Sequence, residues 1–155
     1  GAQEWAPDSD NAKWLAGVLA PSRAKFILLM SHYPAWSSGR HGKAGADGKP
    51  AEKTVRQMQE TVMPLLERCR ATAMLAGHDH NYERSEPPGG VSMIVMGGAG
   101  APLRPKGEGI NNPHSKVFVQ QHHYAFFTVE GDTLTMSVRT PEGEEIDRRA
   151  WEGRR

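Results

Sequence analysis

Residues 25–30, Lys25-Phe26-Ile27-Leu28-Leu29-Met30, read as a continuous apolar run of strand length with Ser31 and His32 directly behind it. A run this short, apolar at successive rather than alternate positions, predicts a strand covered on both faces, near the centre of a parallel sheet. Residues 72–76 (TAMLA) and 91–96 (VSMIVM) repeat the pattern. Between the first two runs, Val55, Met58, Val62, Leu65, Leu66 and Cys69 fall on one stripe of a helix over 52–70, which Pro64 should kink or split because its ring removes an N–H and crowds the preceding turn. Strand, helix, strand in that order makes a right-handed crossover.

Working outward, Asp8, Ser9 and Asp10 cap a short helix bearing Trp14, Leu15, Val18 and Leu19, which ends at Pro21. Toward the other end, residues 124–130, 134–139 and 145–150 alternate around turns at Gly131-Asp132 and 141–143, the signature of an antiparallel meander. The expected fold class is therefore α/β, with a mixed sheet. Residues 31–51, rich in glycine, form a loop of about twenty residues where about 4 to 6 is usual, and such loops are commonly functional.

Composition narrows the function. The 155 residues suit a single domain over 1–155, and 19 basic against 18 acidic side chains leave a net charge of +1, without the basic stripe that phosphate-backbone binding needs. Nucleic acid is a poor partner on that ground. No apolar run approaches the ~18 residues of a membrane helix, so no membrane partner is expected. The single cysteine, Cys69, excludes an internal disulfide. The chain starts with Gly1 rather than Met, and polypeptide upstream is expected.

Histidines carry the chemistry. His32 lies two residues beyond the first strand and His78 two beyond the second, so both belong to the carboxyl edge where open α/β sheets bind ligands. His80 follows at i+2, and in extended backbone it would share a side with His78, with Cα atoms about 6.5 to 7 Å apart. Imidazoles so placed could share one ion at ~2.0 to 2.1 Å or serve two ions about 3.5 to 4 Å apart. His41, within the long loop, could swing over a substrate and donate a proton. His114, His122 and His123 have no link to this edge. Charge leaves a gap, since neutral imidazoles cancel none of the charge of two ions and hard cations ordinarily also take carboxylates. The adjacent acid, Asp79, should point away from the histidines, so the chain holds at most half a site.

The strings Ser31-His32-Tyr33-Pro34-Ala35-Trp36-Ser37-Ser38, with His41-Gly42 beyond, and Gly77-His78-Asp79-His80-Asn81-Tyr82-Glu83-Arg84 resemble the last two metal-binding motifs of the calcineurin-like metallophosphoesterases, in the purple acid phosphatase branch. The resemblance runs from about Trp5 to Arg139. It implies the C-terminal half of a four-layer α/β/β/α sandwich, in which His32 and His78 ligate one metal, His80 the other, and His41 faces the substrate phosphate or leaving group. The metals would be iron paired with zinc, manganese or iron, and a hydroxide that they activate would attack the phosphorus of a phosphate ester. The D-x-H, G-D-x-x-D(Y) and G-N-H motifs of that family are absent from these residues. The resemblance therefore implies a missing N-terminal half, an inactive isolated chain with partial or no metal occupancy, and possible self-association through uncovered sheet. It also favours a location outside the cytoplasm. Two other readings stay open: a phosphodiesterase or nucleotidase of the same superfamily, and a noncatalytic module that uses the histidines as a metal clasp.

Overall fold

The computed structural model describes residues 4–154. Helix α1 (Asp10–Leu19) starts where expected: Ser9 adopts extended backbone and its hydroxyl accepts the Ala12 N–H, and Leu15 and Leu19 are buried. Strand β1 (Leu28–Ser31) is followed by a short 3-10 turn at Arg40–Gly42. The second helical stretch is divided into α2 (Lys53–Gln57), a π turn (Met58–Val62) and α3 (Met63–Arg68), with Pro64 in the first turn of α3. The expected break at Pro64 takes the form of this widened turn, which makes room for a ring that donates no hydrogen bond.

Strands β2 (Ala73–Ala76), β3 (Tyr82–Ser85), β4 (Ser92–Met96) and β5 (Ser115–Val119) join β1 in one sheet of order β1-β2-β4-β3-β5. Strands β1, β2 and β4 run parallel; β3 is antiparallel to both β4 and β5. Strands β6 (Tyr124–Glu130), β7 (Thr133–Arg139) and β8 (Glu145–Glu152) form the expected meander as a separate antiparallel sheet. Sequence reading missed β3 and β5. The first carries charged residues inside a motif, and the second lies beyond a glycine- and proline-rich stretch that masks its alternation.

Both faces of the larger sheet are packed. Leu15, Leu19, Met58, Val62 and Leu66 of the helical layer meet Met74, Met93 and Val95. On the opposite face, Ala73, Leu75, Tyr82 and Ile94 meet Leu134, Met136, Val138 and Trp151 of the smaller sheet. Helices, large sheet and small sheet supply three layers of the expected sandwich. The described residues thus form two sheets, of five and three strands.

The opening strand corrects a sequence expectation. β1 is the edge of its sheet rather than the centre, and Met30 is 81% and Leu28 37% exposed. Its apolar run arises because Ile27 and Leu29 pack on the helical core while Phe26 joins the other one. Leu28 and Met30 point to a part of the sheet that the three-stranded layer does not reach. The apolar pattern reports surface that needs covering, and cannot tell which molecule covers it.

Candidate functional site

The site grows from two neighbouring strand ends. Ser31 pairs with Ala76 at the last register position of β1 and β2, so the chain leaves both strands side by side, and Gly77 N–H donates to His32 O at 3.1 Å. His78 then turns back with φ of +69°. A non-glycine residue in the left-handed region is uncommon, and its cost is held by surrounding contacts. The turn brings Nδ1 of His78 to 3.0 Å from Nε2 of His32. These two histidines meet as their matching places predict.

His80 does not join them as expected. The bend at His78, tightened by a 2.8 Å bond from Asp79 N–H to Gly77 O, removes the extended geometry that an i, i+2 pairing requires. Nδ1 of His80 instead lies 2.9 Å from the Pro102 carbonyl. A carbonyl only accepts, so Nδ1 carries the hydrogen and Nε2 of the neutral ring keeps the lone pair. A hydrogen bond of this kind to a backbone carbonyl is the ordinary way in which a metal-binding imidazole is oriented.

His41 reaches the cluster through its loop. Its ring centroid lies 3.6 Å from that of His78. The loop is pinned by buried acids of the second motif: Asp79 accepts the Ser37 hydroxyl at 2.6 Å and the His41 N–H at 3.4 Å, and Glu83 accepts the N–H and hydroxyl of Ser38, both at 2.6 Å. Asn112 adds a third bond to Glu83 at 3.0 Å. Asp79 does point away from the rings, as expected, and its work is mechanical. Gly39 is needed where the loop crosses it, because a Cβ there would stand 2.3 Å from Cγ of Asp79. The remaining motif residues fasten the smaller sheet. The Tyr82 hydroxyl donates to Asp147 at 2.6 Å, and Arg84 Nε donates to the same carboxylate at 2.7 Å. Burial first, and then the carboxylate of Asp147, push the Tyr82 pKa up, so it remains a donor.

The residue that sequence reading missed is Glu52. Beyond His41 the chain forms a small hairpin, with Ala44 bridged to Pro50 and Ala51 N–H bonded to Lys43 O at 2.8 Å, which returns it to the site at the start of α2. Oε2 of Glu52 lies 2.8 Å from Nδ1 of His41, and Oε1 lies 3.1 Å from Nε2 of His78. His41, Glu52 and His78 each bring one ligand-type atom within 4.8 Å of the others, and they are the one such group of three among the described residues. Burial opposes ionisation of Glu52, yet hydrogen bonds from His41 and His78 outweigh it and its pKa falls below the carboxylate norm. For His78 burial dominates, and despite Glu52 the ring's pKa falls. The local spacing carries no sign of Glu52, because a hairpin of glycine and lysine residues delivers it.

The other histidines lie elsewhere. His114 sits edge-on to Trp36 at 5.5 Å, His122 bonds the Gly98 carbonyl at 2.9 Å, and His123 is buried beside Tyr82.

This mixed α/β sandwich has the fold of the purple acid phosphatases. It superimposes on the purple acid phosphatase PPD1 of yellow lupin seeds with a TM-score of 0.80 over 96% of this chain and 29% of that one, at 19% identity. GAP50, the anchor in the inner membrane complex of Plasmodium, gives 0.73 over 94% and 42%, with 20% identity. A dimetal phosphatase from Danio rerio gives 0.56 over 94% and 38%, with 20% identity. In sequence the chain is 37% identical over 84 residues to human tartrate-resistant acid phosphatase type 5, and 36% to the rabbit protein, which places the likeness in the purple acid phosphatase branch. These 84 residues are 54% of the chain, and they span 22% of the length of either relative. No family model matches the chain. Among the described residues no helix is long and apolar enough to cross a membrane.

Proposed function

We propose that residues 1–155 form the C-terminal part of a two-metal phosphomonoesterase domain whose remaining ligands lie in polypeptide outside these residues. In this reading His32 Nε2 and His78 Nδ1 hold one metal and His80 Nε2 the other. His41 serves as acid or hydrogen-bond donor to the phosphate ester. The observation that carries it is the 3.0 Å approach of His32 Nε2 to His78 Nδ1 across adjacent strand ends. Two ligand atoms on a tetrahedral ion stand ~3.3 Å apart at bond lengths of ~2.0 to 2.1 Å, so the pair is already near the spacing that a shared ion demands. The orientation of His80 by a backbone carbonyl fits the same role.

A pair of ions, iron with zinc, manganese or iron by the family likeness, would supply charge neutralisation and activation of water. The protein's own part is to fix imidazole direction, hold His41 on a loop braced by Asp79 and Glu83, and present a substrate edge. An imidazole-rich set lacks the acids to balance two ions, which supports the view that further carboxylates come from elsewhere and that the isolated chain has little turnover. A location outside the cytoplasm is part of the same reading. The test is hydrolysis of an aryl phosphate with added Mn2+, Zn2+ or Fe2+, by the isolated chain and by a longer polypeptide extended toward its N-terminus. Turnover in the longer form alone is expected, and turnover in neither refutes the reading.

A noncatalytic metal clasp, first read on His32, His78 and His80, is the second reading; the structure lends it Glu52, which with His41 and His78 offers three of the four ligands that a closed structural zinc site takes. Metal bound without turnover in any form would select it.

A further inference from the structure

We propose that Glu52 is a positioning residue that sets the tautomers of both His78 and His41, an inference that rests on the two-metal reading of the site. Glu52 occupies the residue before the first turn of α2, yet its side chain makes no capping bond to the helix. Both oxygens go to imidazoles instead, Oε2 to His41 Nδ1 at 2.8 Å and Oε1 to His78 Nε2 at 3.1 Å. A carboxylate only accepts, so these two nitrogens must carry the hydrogens.

The opposite nitrogens then bear the lone pairs, and both face outward into the site. For His78 that nitrogen is Nδ1, the atom 3.0 Å from His32 Nε2, where an ion would be shared. For His41 it is Nε2, which receives a hydrogen bond from Arg40 Nε at 2.9 Å. Arg40 is exposed, and where its guanidinium turns away the same nitrogen can take up a proton, with Glu52 stabilising the charged ring, and then donate it to the ester oxygen as the acid role of His41 requires. The logic is that of the carboxylate which orients the imidazole in hydrolytic triads and at zinc sites, with one carboxylate serving two rings. The left-handed backbone of His78 is the local cost of turning its ring between His32 and Glu52.

The experiment uses the full 155-residue chain. Long-range 1H–15N spectra report which ring nitrogen of each histidine is protonated, and calorimetric titration with Zn2+ reports affinity. In the unmodified chain His78 should appear as the Nε2–H form and His41 as the Nδ1–H form. Glu52→Ala should release both to the mixture seen for free imidazole, and zinc affinity should drop about 10- to 100-fold, the usual effect of losing such an orienting group. Glu52→Gln, isosteric and less disruptive, should hold at most one ring, because its amide offers a single acceptor. Tautomers unchanged in both variants, or zinc affinity that falls with His32→Ala and stays constant with Glu52→Ala, overturn the proposal while leaving the two-metal reading intact. Tautomers that depend on Glu52 in a chain that binds no zinc support the positioning role and count against the metal reading instead.

Discussion

Glu83 on β3 accepts both the backbone N–H and the hydroxyl of Ser38, a residue 45 positions earlier, at 2.6 Å each. The two motifs that carry the histidines are thereby tied to one another by a fully buried carboxylate, independently of any ion. Burying a carboxylate is tolerated only where donors surround it, and here Asn112 supplies the third. Glu83→Gln turns an amide N–H2 toward these donors. It should cost about 3 kcal/mol, as expected when a buried charged hydrogen-bond set is broken. For a chain of this size that corresponds to a fall of roughly 6 to 12 °C in Tm, read by circular dichroism. A loss under about 2 °C would show that the loop is held by other contacts.

How far the sequence reveals this molecule depends on the length scale of each cause. The α1 cap at Ser9, the crossover from β1 to β2 and the hairpins of β6 to β8 are local patterns, and each appears where its residues suggest. The place of β1 in its sheet is a non-local property, since the apolar surface of Leu28 and Met30 has the same pattern whether a neighbour is present or not. The same division holds in the site. His32 and His78 follow strand ends and meet as read, whereas His80 departs because one residue, His78, takes a left-handed turn that no side-chain type announces. Glu52 is hidden because its approach depends on a hairpin that folds back 11 positions beyond His41.

Separate roles for the histidines give separable outcomes in the intact two-metal enzyme proposed above. His32→Ala and His80→Ala should each abolish turnover of an aryl phosphate and reduce bound metal, measured by elemental analysis of the purified protein. His41→Ala should keep its metal and lose about 10^2- to 10^4-fold in rate, the range for loss of an acid–base group. Metal loss in His41→Ala would instead make His41 a ligand and favour the clasp reading.

His123 gives the fold a pH dependence away from the site. Burial lowers its pKa beneath the ordinary 6.5, even though its bond to the Gln121 carbonyl acts the other way. The unfolded chain therefore binds this proton more readily than the folded one, and stability rises with pH through this range. The contribution is fully present above about 6.5 and is lost as pH falls through and below that value, levelling off once the folded ring also protonates. Thermal melts at intervals from pH 8 to pH 5 should show a steeper loss for the unmodified chain than for His123→Gln. Parallel curves would mean that His123 titrates alike in both states.

The uncovered edge should show itself in solution. Met30 is 81% exposed on β1, and the groove beside it is lined by Trp14, Leu29, Tyr33 and Val62, with Trp14 itself 62% exposed. An unpaired strand edge beside apolar side chains is a template for pairing with another chain, and in the proposed full domain it is where the missing half would lie. The isolated chain should accordingly associate as its concentration rises, detected by sedimentation velocity. Met30→Lys places a charge on that edge while removing little buried surface, so it should return the chain to a monomer with its Tm nearly unchanged. Association that persists in Met30→Lys would direct attention to the other exposed apolar edge, Phe126 and Val129 of β6, which are 55% and 59% exposed. A chain that is monomeric throughout would show that the β1 edge is adequately protected by its own twist and neighbouring side chains.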